Sequence, residues 1–218
     1  MKKKLPVYFL TIFFFLFQNK NLYSQANNSI IISVGDYPIT RLDLVKEIKL
    51  VAILSNTQIN NENQEQIKNL AVKSLIKRTI KKSEIERRNV DKYNPRQLEA
   101  LINNASGKLG VNRDDLKEIL ERHGLSFENL VNKFKIDLKW NYMIFQIYKN
   151  KISLNTAEVE DKIKLRLESL KETNDKKNIE LIKEQIVSDE KEKKLKMFSN
   201  LHFSNLERSI RVNFLRKI

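Results

Sequence analysis

Apolar and polar residues repeat with helical spacing along most of the chain, and strand-like patterns occur near its two ends. Residues 29–34 form a β-branched run that stops at Gly35 and Asp36, which is typical of a strand. Residues 37–39 are interpreted as a turn, and residues 209–215 alternate apolar and polar side chains with a period of two. The chain therefore predicts one short strand near each end and helices between them.

Local signals mark where the predicted helices begin and end. Thr40 is a good N-cap because Asp43 stands three residues after it, in a weaker form of the capping box. Pro95 suits a first helical position, and Gly124 suits the left-handed residue that often follows a helix. Helical spacing and these signals predict helices after Thr40, over residues 62–89, after Asn94, Asn112 and Ser126, from Thr156, and over residues 179–207.

The two predicted strands favour a closed arrangement of the chain. A lone strand needs a partner because its backbone N–H and C=O groups require hydrogen bonds. Pairing the two ends makes a two-stranded ribbon, which must pack against helices because such a ribbon is marginally stable alone. The sequence therefore predicts a mainly α fold, a multi-helix core with a small ribbon of the N- and C-terminal strands. Residues 27–218 then form one domain, which the last helix and strand (about 178–215) complete.

The predicted helix at residues 127–151 carries the strongest candidate site. Its first half has one apolar stripe, whereas apolar residues surround nearly all of its second half. A helix that is apolar on every side must be covered on every side. Either the returning C-terminal helix buries this second half, or one stripe lines an apolar groove that binds many sequences loosely. Both alternatives stay open for the candidate peptide-binding residues, which are Phe134, Trp140, Met143, Ile144, Ile147 and Tyr148.

Residues 1–26 have the pattern of an export signal. Three consecutive lysines precede the apolar residues 5–17, and a polar tail follows with the small residues Ser24 and Ala26 at its end. A membrane-spanning helix needs about 20 apolar residues, so residues 5–17 are short for a permanent anchor. We therefore expect a Sec-type signal peptide that is cleaved near Ala26, and a bacterial exported protein that is located in the periplasm.

The composition removes several kinds of chemistry. The chain has no cysteine and only two histidines, His123 and His202, which are far apart in sequence. It therefore forms no disulfide, thiolate zinc site or iron–sulfur cluster, and no spacing favours a mixed carboxylate metal site. Neither a phosphate-binding glycine motif nor a nucleophile-elbow motif is present. We expect no catalytic residues, no bound metal and no cofactor.

The charge of the chain is strongly basic, with a formal net value of +14. Residues 1–26 contain four lysines and no acidic residue, which leaves +10 for the remainder. Such a charge is typical of nucleic-acid binding, and basic pairs at residues 77–78, 81–82 and 87–88 form a basic helical surface. That surface lacks the interleaved aromatic residues that stack on bases, and an exported protein rarely meets nucleic acid. We therefore expect a solvated face and neither a nucleic-acid nor a nucleotide partner.

The order of several short motifs resembles the SurA family of periplasmic chaperones. Each motif is weak alone, and their succession along most of the chain after residue 26 carries the resemblance. The similar segments are the opening strand, turn and helix (residues 31–44), a charged helix (75–78), two further helices (115–120 and 124–130), the exit from the N-terminal region (152–153 and 157–159) and the closing strand (209–215).

The resemblance implies an ATP-independent holdase that binds unfolded outer-membrane proteins through an apolar crevice. It implies these clients, and the outer-membrane assembly machinery, as partners. Family members usually carry parvulin-type prolyl isomerase domains before the last helix, yet here only about 20 residues separate Val159 from Ile179, too few for a domain. We therefore expect a chaperone core that is not an enzyme. A residual prolyl isomerase and an exported scaffold protein with one fixed partner are the alternatives.

Overall fold

The protein is described by a computed structural model over residues 28–169 and 176–216. The described residues form seven α-helices, a short 3₁₀ turn and three short strands, so the predicted mainly α fold is confirmed. The expected signal peptide, residues 1–26, lies outside the described residues. In chain order the elements are β1 (Ile30–Val34), β2 (Tyr37–Thr40), α1 (Arg41–Leu54), α2 (Gln64–Arg87), α3 (Pro95–Lys108), α4 (Arg113–Arg122), α5 (Phe127–Tyr148), the 3₁₀ turn (Lys149–Lys151), α6 (Thr156–Ser169), α7 (Lys176–Ser209) and β3 (Val212–Phe214).

The three strands form one antiparallel sheet in the order β2–β1–β3. In the β1–β3 pair, Ile32 stands opposite Phe214 and Val34 stands opposite Val212. The first and last strands of the described chain are therefore neighbours, and the predicted pairing of the two terminal strands is confirmed.

The sheet has three strands because the chain reverses earlier than the sequence predicts. Gly35 has a φ of +56°, which a tight two-residue hairpin turn at Gly35 and Asp36 requires. Val34 consequently pairs with Tyr37, and residues 37–39 belong to β2. The assignment of residues 37–39 to a turn, and of two strands to the ribbon, was therefore wrong.

Helix α1 begins at the cap that the sequence predicts. The Asp43 N–H donates to Thr40 Oγ1 at 3.1 Å, and the Thr40 N–H donates to Asp43 Oδ2 at 2.9 Å. The Thr40 hydroxyl also donates to the same carboxylate at 2.7 Å. This capping box satisfies backbone donors that have no partner inside the helix, and it ties the end of β2 to the first turn of α1.

Replacing Thr40 with alanine should lower the free energy of unfolding by about 1–2 kcal/mol, because the N-cap acceptor is lost. Thr40→Ser, which keeps the hydroxyl, is the matched control and should cost less than half as much. Urea unfolding monitored by circular dichroism measures both. Equal stability of Thr40→Ala and the wild type would show that the capping box contributes nothing.

Two further helix ends follow the predicted signals. The Asn112 side chain accepts from the Asp115 N–H at 2.9 Å at the start of α4. Gly124 follows α4 with a φ of +71°, in the left-handed region that glycine adopts without strain. Helix α2 ends at Arg87, two residues before the predicted end, because Asn89 takes the left-handed conformation with a φ of +53°.

The described chain divides into two compact units. Unit 1 contains residues 28–80, 101–131 and 210–216, and unit 2 contains residues 81–100 and 132–209 without the undescribed 170–175. The single domain over residues 27–218 stays a prediction.

The interior of unit 1 contains apolar residues of the sheet and helices and one charged residue. The Glu47 carboxylate of α1 is buried, and it accepts a hydrogen bond from Ser74 Oγ at 2.6 Å. Its second oxygen is paired with the Arg78 guanidinium. Both carboxylate oxygens thus have partners on α2, as burial of a charge requires. The buried apolar residues include Ile31, Ile32, Val34, Ile39, Leu50, Ala71, Leu116, Leu120 and Leu130.

Candidate peptide-binding site

The predicted apolar face of α5 lies inside unit 2. Trp140, Met143 and Ile144 form a buried cluster with Ile85 of α2, and Trp140 is 1% exposed. We call these four residues the Trp140 cluster. Half-buried residues of α7 cover it, namely Leu195, Phe203 and Leu206.

The indole of Trp140 is enclosed by specific contacts. Its Nε1–H donates to Ser199 Oγ at 2.8 Å, which satisfies the single polar atom of the ring. The rings of His202 and Phe203 lie in T-shaped arrangements with the indole, at centroid distances of 5.6 and 6.2 Å. The Lys81 ammonium lies 5.7 Å from the ring centroid, within cation–π range. Of the two alternatives for this face, burial of Trp140, Met143 and Ile144 supports core rather than an open groove.

The other three candidate residues are half-buried. Tyr148 stacks on Phe198 with ring centroids 4.7 Å apart, and its hydroxyl lies 3.0 Å from His202 Nδ1. Ile147 also packs against the Trp140 cluster. Phe134 lies on the same helix, six residues before Trp140. A peptide-binding role for these residues stays a prediction.

A buried carboxylate lies beside the Trp140 cluster. Glu84 is 2% exposed, and its two oxygens each accept a hydrogen bond from Arg87, both at 2.7 Å. Arg88 and, at 3.4 Å, His202 also contact it. Burial alone would raise the pKa of Glu84, but the hydrogen bonds from Arg87 and Arg88 lower it from 4.5 to about 2. Glu84 therefore remains ionised across the physiological range.

Most residues of the basic pairs of α2 form ion pairs with acidic side chains. Arg78 pairs with Glu47, Lys81 with Asp137, and Arg87 and Arg88 with Glu84. Neither buried glutamate is predicted from the sequence, although Glu84 stands three and four residues before two arginines, the spacing of helical ion pairs. The predicted basic surface is therefore largely a set of ion pairs.

A cleft lies between the end of α2 and the middle of α5, next to the Trp140 cluster. Its volume is about 830 Å³. Ile85, Val90 and Ile136 form its apolar floor; Ile85 belongs to the Trp140 cluster, and Val90 and Ile136 pack against it. The rim carries the charged residues Lys82, Glu86, Asp91, Lys135 and Lys139, together with Asn89 and Asn132.

The end of α2 shapes the floor of this cleft. With Asn89 in the left-handed conformation, the Val90 N–H donates to the Ile85 carbonyl at 3.0 Å. This Schellman-type closure folds Val90 back over the last turn of the helix. The cleft is not predicted from the sequence, although asparagine is one of the residues favoured at such helix ends.

A second, smaller depression of about 370 Å³ lies between α6 and α7. Ile182 and Ile186 line it, but ion pairs dominate its surroundings. Glu190 pairs with Lys193 at 2.7 Å and with Lys162 at 3.1 Å. Hydrogen bonds from Lys193 and then Lys162 lower the pKa of Glu190. This depression is less suited to an apolar ligand than the cleft.

Neither a metal site nor a membrane-spanning helix is found in the part of the chain that the structure describes. Residues 28–169 and 176–216 contain no group of three His, Asp or Glu side chains that could hold a metal ion. In the same residues, no helix has the length and apolar character needed to cross a bilayer.

Comparison with known proteins adds no relative. No protein-family model and no curated protein matches the chain. The resemblance to the SurA family therefore stays a prediction that rests on the motifs quoted above.

Proposed function

We propose that the protein is an ATP-independent periplasmic chaperone, a holdase that binds unfolded outer-membrane proteins without prolyl isomerase activity. The observation that carries the proposal is the cleft at the end of α2, whose apolar floor of Ile85, Val90 and Ile136 is surrounded by charged side chains. No nucleotide, metal or other cofactor takes part.

The shape and chemistry of the cleft suit a loosely held segment. Its floor is made of aliphatic side chains, which impose no directional hydrogen bonds and therefore tolerate many apolar sequences. Strands of outer-membrane proteins alternate apolar and polar residues, so an extended client presents apolar side chains at every second position. Lys135 and Lys139 on the rim can pair with acidic residues of the same segment.

Binding should be reversible and of moderate strength. A disordered client loses conformational entropy when it is held, which offsets part of the apolar contact energy. The lysines of the rim contribute mainly to the rate of encounter, and this contribution decreases as the salt concentration rises.

The purified protein should suppress the aggregation of an unfolded porin at several-fold molar excess, as measured by light scattering. Ile136→Ser should weaken client binding about fivefold, because the loss of one apolar contact costs about 1 kcal/mol. The matched control is Ile182→Ser in the α6–α7 depression, which should leave client affinity unchanged. Thermal unfolding of both variants separates binding effects from loss of fold.

Two results would contradict this proposal at different levels. If the wild type fails to suppress aggregation, the chaperone function is wrong. If the wild type suppresses aggregation and Ile136→Ser binds clients with unchanged affinity, the function stands and the cleft is not the binding site.

A scaffold role with one fixed partner is the second candidate. Met197 and Leu201 of α7 are each more than half exposed and lie one helical turn apart. Such an exposed apolar pair suits the packing of a single partner helix. Recovery of one partner in equal amount, rather than many porins, with loss of that partner in Met197→Glu, would favour this role.

A further inference from the structure

The two outer edges of the sheet differ in their capacity to accept another strand. The Gly35 N–H donates to the Arg211 carbonyl at 2.8 Å, and the Leu215 N–H donates to the Ile31 carbonyl at 2.9 Å. In an antiparallel pair the backbone groups of successive residues face alternately toward and away from the neighbouring strand. Val212 and Phe214 therefore direct their backbone N–H and C=O groups away from β1.

The edge formed by β2 is closed. Pro38 stands opposite Ser33, whose backbone groups face β3, so the backbone of Pro38 faces outward. Proline has no N–H and cannot donate to an added strand. The Thr40 N–H, two residues later, is already donated to Asp43 Oδ2. This edge therefore offers a new strand no N–H at either position.

Among the described residues, no further strand lies beside β3. Within residues 28–169 and 176–216, no hydrogen bond to the outward N–H and C=O groups of Val212 and Phe214 is found. Phe214 is 59% exposed, although it stands opposite the fully buried Ile32 and shares its face of the sheet. A fourth strand beside β3 would gain backbone hydrogen bonds and would cover the Phe214 ring.

Charge indicates which kind of strand fits this edge. Arg211 and Arg216 flank β3 and are exposed, and residues 208–216 contain no acidic side chain. Pairing with β3 of a second copy would bring two such basic segments together in either direction, which like-charge repulsion opposes. A segment with acidic residues among its apolar ones is complementary to the edge.

We propose that β3 binds an extended, non-native client segment as a fourth antiparallel or parallel strand of the sheet, a segment in which apolar residues alternate with polar and acidic ones. This inference rests on the proposed chaperone function and adds a second contact region, in unit 1. Backbone hydrogen bonds to Val212 and Phe214 supply affinity without sequence preference, and the Phe214 ring and the two arginines select apolar and acidic side chains.

The test uses a fluorescein-labelled ten-residue peptide in which valine and tyrosine alternate with threonine and aspartate, with binding measured by anisotropy. Phe214→Pro removes the outward N–H, and edge strands tolerate proline where the N–H faces solvent. This variant should bind the peptide at least tenfold more weakly than the wild type. Phe214→Ala keeps the N–H and should bind about threefold more weakly. A Phe214→Pro affinity within twofold of the wild type would overturn the proposal.

A measurement on the unmodified protein removes any dependence on how the variants fold. Saturating peptide should slow hydrogen exchange of the Val212 and Phe214 amides at least tenfold, and the same peptide N-methylated at every second residue should not. Unchanged exchange at both amides would overturn the proposal. A second result would also overturn the proposal. If no peptide binds, and sedimentation shows a wild-type dimer that Phe214→Pro abolishes, then a second copy of the chain occupies the edge.

Failure of this inference is distinguishable from failure of the chaperone function. Wild-type protein that does not suppress porin aggregation defeats the function itself. Wild-type protein that suppresses aggregation, with normal peptide affinity in Phe214→Pro and no amide protection, defeats the β3 edge alone.

Discussion

Replacing Trp140 with alanine is expected to lower the free energy of unfolding by about 3–5 kcal/mol, the usual cost of removing a buried tryptophan from a core. The indole is 1% exposed, and α7 closes over it through Ser199 and Phe203. Its removal leaves a cavity, an unpaired Ser199 hydroxyl and the loss of the aromatic contacts. Urea unfolding followed by far-ultraviolet circular dichroism measures the change. Tryptophan fluorescence cannot be used for the variant, because Trp140 is the only tryptophan.

Phe145→Ala provides the matched control. Phe145 is an aromatic residue of the same helix but is 44% exposed, so its truncation should cost less than about 1 kcal/mol. If Trp140 contacted clients directly, Trp140→Ala would reduce client affinity and leave stability nearly intact. Because Trp140 is buried, we expect Trp140→Ala to lower stability strongly. A stability loss below about 1 kcal/mol in this variant would show that Trp140 is not part of the core.

Acidification should remove about 3 kcal/mol of stability through Glu84 alone. The pKa of Glu84 is about 2 in the folded protein, against an ordinary value of 4.5, and each pKa unit corresponds to 1.36 kcal/mol. Because the folded-state pKa is the lower one, the unfolded chain binds the proton first, and protonation favours unfolding. The stabilisation is complete above about pH 4.5 and is lost as the pH falls toward 2.

Glu84→Gln tests this assignment because it keeps the size of the side chain and removes its charge. At pH 7 the variant should be about 2–3 kcal/mol less stable than the wild type, and the difference should shrink as the pH approaches 2. The matched control is Glu65→Gln at the other end of α2, where an exposed pair with Lys68 at 2.8 Å should contribute less than about 0.5 kcal/mol. A Glu84→Gln difference that is independent of pH would show that packing, not charge, makes Glu84 important.

Local sequence signals determined much of the secondary structure. The cap at Thr40, the asparagine before α4 and the glycine after it act within a few residues, so they can be read without knowledge of the fold. The apolar pattern likewise indicated a helix whose second half must be covered. The turn was predicted at residues 37–39, whereas the chain reverses two residues earlier, at Gly35 and Asp36. The strand-forming pattern alone does not show at which residue the reversal begins.

The candidate site depended on contacts that no local pattern encodes. The sequence showed that Trp140 lies on an apolar helix, but its burial depends on α7, about 60 residues later, whose Ser199 and Phe203 close over it. The cleft depends on Val90 folding back beside Ile136, and the β3 edge depends on which side of β1 the last strand joins. Periodicity determines which face of an element is apolar. Only tertiary packing decides which of those faces is covered, because the covering residues come from distant parts of the chain.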